Sequence, residues 1–243
     1  MEKKYKLTDE IIEFYGTKLY RIEALRDFSN VKKGDKGGFV ESEDNLSHNG
    51  NCWVYDDAKV SDCAMILDNA KIFDNAEISE HAEVYDNAYV YGYSQVYGYA
   101  QVYGYAQVSG YAKLFDNAEV FDKAEAYGHA KIHDTAKAFG NAKIFDNAKL
   151  YEQASVYGNA KVCGNAIIKG DAKIENKSDY ITFKNWWSSG RHFTWTRSNN
   201  MWTVGCFYGT GKELIEKAYK DSEQSGQEYE RVVNYVVSIL NKK

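Results

Sequence analysis

The chain has 243 residues, 44% hydrophobic and 27% charged, and 30 Lys and Arg stand against 35 Asp and Glu for a net charge of −5. That acidic balance argues against a generic nucleic-acid binder, whose footprint is basic, and the absence of proline excludes collagen-like and proline-rich linker classes. No apolar run approaches the roughly 18 residues of a membrane span and the polar start lacks an apolar signal core, so a cytoplasmic protein is expected.

Residues 1–50 read as a small β-rich cap. Alternating stretches at Lys18-Leu19-Tyr20-Arg21-Ile22 and Gly37-Gly38-Phe39-Val40-Glu41 are separated by turn signals at Tyr15-Gly16 and Lys33-Gly34-Asp35. The segment leads through Asn51-Cys52-Trp53 into the next. Cys52, Cys63, Cys163 and Cys206 are scattered without a CxxC pair, so neither a zinc site nor a disulfide framework is indicated.

Residues 51–176 follow a period of six. From Val54 to Ile174 an aliphatic residue or alanine stands at 21 consecutive sites six apart, and two residues before these sites alanine occupies 19 of 20 positions, Ser94 being the exception. An α-helix would place its apolar residues three and four apart. Two residues after every such site from Val54 to Ile168 comes Asp, Glu or Gly, types that accept turn or left-handed backbone cheaply. Each unit therefore reads as a short strand plus a corner, and three consecutive units make one triangular coil. Residues 54 to 174 supply seven such coils.

Residues 177–243 form a separate α+β module. Trp186, Trp187, Trp195 and Trp202 crowd into one short stretch, three or four strands are expected over 180–208 with turns at Ser189-Gly190 and Ser198-Asn199-Asn200, and two helices follow. Thr210-Gly211-Lys212-Glu213 and Ser225-Gly226-Gln227-Glu228 each fit an S/T-x-x-E capping box.

The six-residue register resembles the left-handed parallel β-helix of the hexapeptide-repeat family, and left-handedness is what the resemblance implies. Tyr5-Lys6-Leu7-Thr8-Asp9-Glu10, the Leu19 to Phe28 stretch, the Gly37 to Ser47 run and Gly205-Cys206-Phe207-Tyr208-Gly209-Thr210 are also similar to phage and prophage hexapeptide-repeat proteins, often labelled transferases on repeat similarity alone. The resemblance implies a phage-encoded protein in the host cytoplasm and transfers no catalytic residue. The preferred expectation is a non-catalytic binding or scaffold protein without cofactor or metal, a homotrimer recognising a host protein or a small nucleotide-like anion, in counter-defence. The alternative is an acyl-CoA-dependent acyltransferase, with His129 as the candidate general base.

Three groups of residues are singled out. Outward aromatics one coil apart should stack, with Tyr85, Tyr103, Phe121, Phe139 and Tyr157 in one ladder and Tyr55, Phe73, Tyr91, Tyr127 and Phe145 in another interrupted at Ser109; such ladders either rigidify a sheet or face another subunit. Tyr93, Tyr99, Tyr105 and Tyr111 replace the usual corner Asn, and Tyr93, Tyr111 and His129 should stack along one edge beside Tyr91 and Tyr127, which suits partner recognition or repeat drift alike. In the C-terminal module Lys184, Arg191 and Arg197 lie among Trp186, Trp187, Trp195, Trp202 and His192, which suits either an anionic aromatic ligand or a tryptophan core.

Overall fold

A computed structural model describes residues 2–187 and 190–240. The predicted turn residue Ser189 lies outside the described residues.

The six-residue units form two-residue strands from Trp53–Val54 to Lys173–Ile174, and each strand pairs in parallel with its counterpart in the next coil, as Trp53 with Lys71 and Ser155 with Lys173. Three parallel sheets result, one per side of a triangular solenoid. The first face carries Val60, Ile78, Val96, Leu114, Ile132, Leu150 and Ile168; the second begins at Val54 and the third at Ile66. All 21 periodic sites are buried, as are the alanines from Ala58 to Ala172. Ser94 is tolerated among those alanines because its hydroxyl donates to the Tyr91 carbonyl at 2.8 Å.

The corners explain the Asp, Glu and Gly preference. Every corner residue from Asp56 to Gly170 has positive φ, the region that costs ordinary residues most. Where the corner is acidic, its carboxylate accepts the backbone N–H of the corner one coil on, as from Asp74 to Asp56 at 3.1 Å and from Glu152 to Asp134 at 2.8 Å. An acidic corner thus ties its coil to the next, and a glycine corner supplies only the donor.

A parallel stack leaves carbonyls unpaired at its start and N–H groups unpaired at its end, each an invitation to strand addition. At the start, β1 (Tyr5–Phe14), β2 (Thr17–Ala24) and β3 (Lys36–Val40) extend the first face to ten strands, and β3 runs parallel to Lys59–Val60. Leu46 bridges Ile66, so a partial coil precedes the regular register and the solenoid has about eight turns. Gly37 and Gly38 are required there, since a Cβ would lie 2.5 Å from the Val54 carbonyl oxygen and 2.6 Å from that of Ala58. The leftover carbonyls find side chains: Asn45 Nδ2 donates to Asp62 and Ala64, and the buried Lys4 Nζ donates to Cys52 at 2.9 Å. Burial holds the Lys4 amine below its ordinary pKa.

At the far end the C-terminal module supplies hydroxyls to the orphan donors. Cys163 N donates to Tyr180 OH at 3.4 Å, Ile167 N to Thr194 Oγ1 at 3.0 Å, and Lys173 N to Ser198 Oγ at 2.7 Å. The module is a four-stranded antiparallel sheet, Tyr180–Lys184, His192–Thr196, Met201–Val204 and Phe207–Gly209, covered by α1 (Gly211–Asp221) and α2 (Glu223–Leu240). Thr210 and Glu213 form the expected capping box. The second one does not form: α2 starts before Ser225, and Ser222 Oγ accepts the Ser225 N–H at 3.1 Å. Gly226 sits inside α2 against the Tyr219 ring of α1, where a Cβ would lie 2.2 Å away. Among the described residues no helix is long and apolar enough to cross a membrane.

Burial raises the pKa of Tyr5, Tyr55, Tyr103, Tyr151 and Tyr180, the last pushed up to about 12. A raised phenol pKa means the unfolded chain loses its proton first. The stabilisation is complete below about pH 10 and falls as pH rises toward the folded values. Urea midpoints measured from about pH 9 to 12 are expected to drop steeply above about 10, and less steeply in Tyr180→Phe.

Candidate functional site

Stacking of coil on coil turns sequence columns into edges. The corner between the second and first faces carries Tyr93, Tyr111, His129, Asn147 and Asn165 in line. Its rings stack, Tyr93 on Tyr111 at 5.3 Å between centroids and Tyr111 on His129 at 5.0 Å. Beside that edge, on the first face, Lys131, Lys149 and Ile167 occupy the outward position of successive coils.

The C-terminal sheet closes the end of this edge. Because Thr194 is tied to Ile167, the start of its strand lands on the last corner, where His192 Nε2 lies 3.4 Å from Asn165 Nδ2. Arg191 and Gly205 follow as the end wall. Between them and His129 lies a groove of about 630 Å³ whose sides are formed by His129, Asn147 and Asn165 on one hand and Lys131, Lys149 and Ile167 on the other.

The electrostatics are one-sided. Lys131, Lys149 and Arg191 face the groove together with the imidazoles of His129 and His192, and no carboxylate lines it among the described residues. In a chain of net charge −5 this concentrates positive potential in one concave place. Such an arrangement binds phosphate or carboxylate groups through charge-assisted hydrogen bonds and puts an open imidazole within the same space, the pairing that proton transfer to or from a bound acceptor needs.

The residues singled out from sequence separate. His129, on a solenoid corner, and Arg191, beside the C-terminal sheet, share the groove. Trp195 and Trp202 are 2% exposed and form a core with Phe193, Val204, Leu214, Val233 and Val236, so they hold the module together and offer no ligand face. Trp187 packs on that core, whereas Trp186 is 81% exposed. Lys184 pairs with His192 in the sheet register, and Arg197 turns to the Ser178 carbonyl at 3.3 Å; neither lines the groove. Lys131, Lys149, Asn147 and Asn165 are absent from the residues singled out, although the column rule that aligns Tyr93, Tyr111 and His129 also aligns them.

The outward ladders stack as well. Tyr85, Tyr103, Phe121, Phe139 and Tyr157 run continuously at 4.9 to 5.1 Å. On the first face Tyr97, Phe115, His133 and Tyr151 make a further ladder that the sequence reading misses. In the interrupted ladder Tyr55 stacks on Phe73 and Tyr127 on Phe145, but Phe73 lies parallel to Tyr89 at 6.1 Å instead of stacking on Tyr91, so the expected run breaks there as well as at Ser109. Tyr93, Tyr99, Tyr105 and Tyr111 are 53 to 61% exposed, with Tyr99 stacked on His81. Asp116, His133 and Asp134 converge, yet both carboxylates already accept corner N–H groups, from Asp134 and Glu152.

No protein-family model matches the chain. Over 67 residues, 24% of this chain and 21% of the other protein, it is 37% identical to a protein of Escherichia coli (strain K12) described as "Uncharacterized acetyltransferase YdcK". The chain thus covers about a fifth of that relative. The β-solenoid and this similarity fit a hexapeptide-repeat family.

Proposed function

We propose that the chain is an acyltransferase that takes its acyl group from a phosphate-bearing thioester donor of the acyl-CoA class. The observation that carries this reading is the groove that His129 shares with Arg191, Lys131 and Lys149, with no carboxylate among its described lining residues. The cations hold the donor's phosphates. His129 takes the proton of an acceptor hydroxyl or amine as that group attacks the thioester carbonyl, and the proton passes to the departing thiolate. The similarity to a protein described as an acetyltransferase supports this over the non-catalytic alternative.

Calorimetry with acetyl-CoA tests the reading. Binding is expected, and Arg191→Ala should weaken it by about tenfold or more, the loss of one hydrogen bond between charged groups. Ligand binding to the native state also raises the melting temperature, which gives a second readout. Absence of binding at millimolar acetyl-CoA would remove the donor from the proposal, and tight binding of free nucleotides alone would favour a ligand-binding protein instead.

A second reading, recognition of a host protein or of further copies as a homotrimer, is supported by the exposed Tyr93, Tyr99, Tyr105 and Tyr111. Sedimentation equilibrium distinguishes a monomer from a trimer.

A further inference from the structure

The interrupted ladder on the second face leaves a gap with defined walls. Tyr55 and Phe73 stack at 4.5 Å and Tyr127 and Phe145 at 5.0 Å, one coil per ring, but Ser109 stands where the ring between Tyr91 and Tyr127 would be. With strands about 4.8 Å apart, Tyr91 and Tyr127 are anchored two coils, or about 10 Å, from each other. The space between them is a depression of about 250 Å³ lined by Tyr91, Gln107, Ser109, Glu125 and Tyr127. A second depression of about 440 Å³ shares Tyr91 and Gln107 with it and reaches Phe73, Asp74 and Tyr89. The two form one trough across the coils.

Its chemistry differs from that of the basic groove. Among the described residues no Lys, Arg or His lines either depression, and a carboxylate stands in each, Asp74 in one and Glu125 in the other. Phosphates are therefore disfavoured. The flat walls are phenol rings, whereas the floor offers an amide, a hydroxyl and a carboxylate; Glu125 has one oxygen on Lys143 at 2.7 Å. Tyr91 OH lies 3.4 Å from Gln107 Oε1. A saturated pyranose ring packs its C–H groups on such phenol rings, and its equatorial hydroxyls would meet the polar floor.

We propose that this trough binds a neutral oligosaccharide, with one pyranose ring filling the Ser109 gap between Tyr91 and Tyr127 and the next lying over Tyr89. The site is independent of acyl transfer.

The experiment titrates the full chain with cellotetraose, chitotetraose and maltotetraose, read by saturation-transfer NMR and calorimetry. At least one is expected to bind. Ser109→Tyr completes the ladder with a residue found at the same position of other coils, so it should melt no lower than the parent and lose binding by about tenfold or more. Gln107→Ala, at an exposed position, should weaken binding as well, and Arg191→Ala should leave it unchanged. Failure of all three sugars at millimolar concentration overturns the proposal. So does parental affinity in Ser109→Tyr, and so does loss on Arg191→Ala, which would put the sugar in the basic groove.

Discussion

Replacing His129 with asparagine is expected to lower acetyl transfer by about 10²- to 10⁴-fold, the usual contribution of a positioned acid or base. Asparagine is the informative replacement because Asn147 and Asn165 occupy the same corner one and two coils on, so the backbone accepts it. The His129 N–H bonds the Asp146 carbonyl at 2.6 Å whatever side chain is present. Only the stack on Tyr111 is lost, about 0.5 to 1.5 kcal/mol. Steady-state rates with acetyl-CoA and a panel of hydroxyl and amine acceptors, read beside melting curves, make the check. A fall in kcat with little change in KM identifies an interaction made in the transition state, and Arg191→Ala should act the other way, mainly on KM. Full activity in the asparagine variant would remove the imidazole from the chemistry.

Ile132→Ala is expected to be the most destabilising aliphatic truncation in the solenoid, at about 3 to 5 kcal/mol. The reason lies in its level of the stack. The coil that holds Ile132 has Ala126 and Ala138 at its other two interior sites, whereas the coil around Ile78 has Ile72 and Val84. Ile132 alone fills that coil, with Leu114 and Leu150 paired on either side. Removing it leaves three alanines at one level and a cavity that rigid hydrogen-bonded neighbours cannot close. Ile78→Ala, with large neighbours beside it, should cost about 2 to 3 kcal/mol. Urea unfolding of the two variants gives the comparison. Hydrogen exchange should show the coil of Ile132, the one that carries His129, opening first, since a repeat array is only as cooperative as its weakest interface.

Much of the architecture was legible because a solenoid is nearly one-dimensional. Val54 to Ile174 at intervals of six, alanines two residues earlier and turn residues two later are a local code, and repeating it without insertion dictates three faces, their register and the stacking of Tyr85 on Tyr103 or of Tyr111 on His129. The Thr210 capping box is equally local. The Ser225 box misled because Ser222, three residues earlier, accepts the Ser225 and Gly226 N–H groups and starts the helix sooner, which leaves the box in the first turns of α2.

The tryptophan cluster shows where local reading stops. Trp186 and Trp187 are adjacent in a turn, yet one is exposed and the other packs on the core, and which of them meets the core is set by docking, not by residue type. The groove belongs to the same class. Sequence by itself determined the solenoid, its coil register and the column of Tyr93, Tyr111 and His129, because each depends on contacts at the fixed offset of one coil. Only the tertiary structure decided that Arg191 and His192 close that column, because the last coil's unpaired N–H groups draw in Thr194 and Ser198 and carry these neighbouring side chains with them.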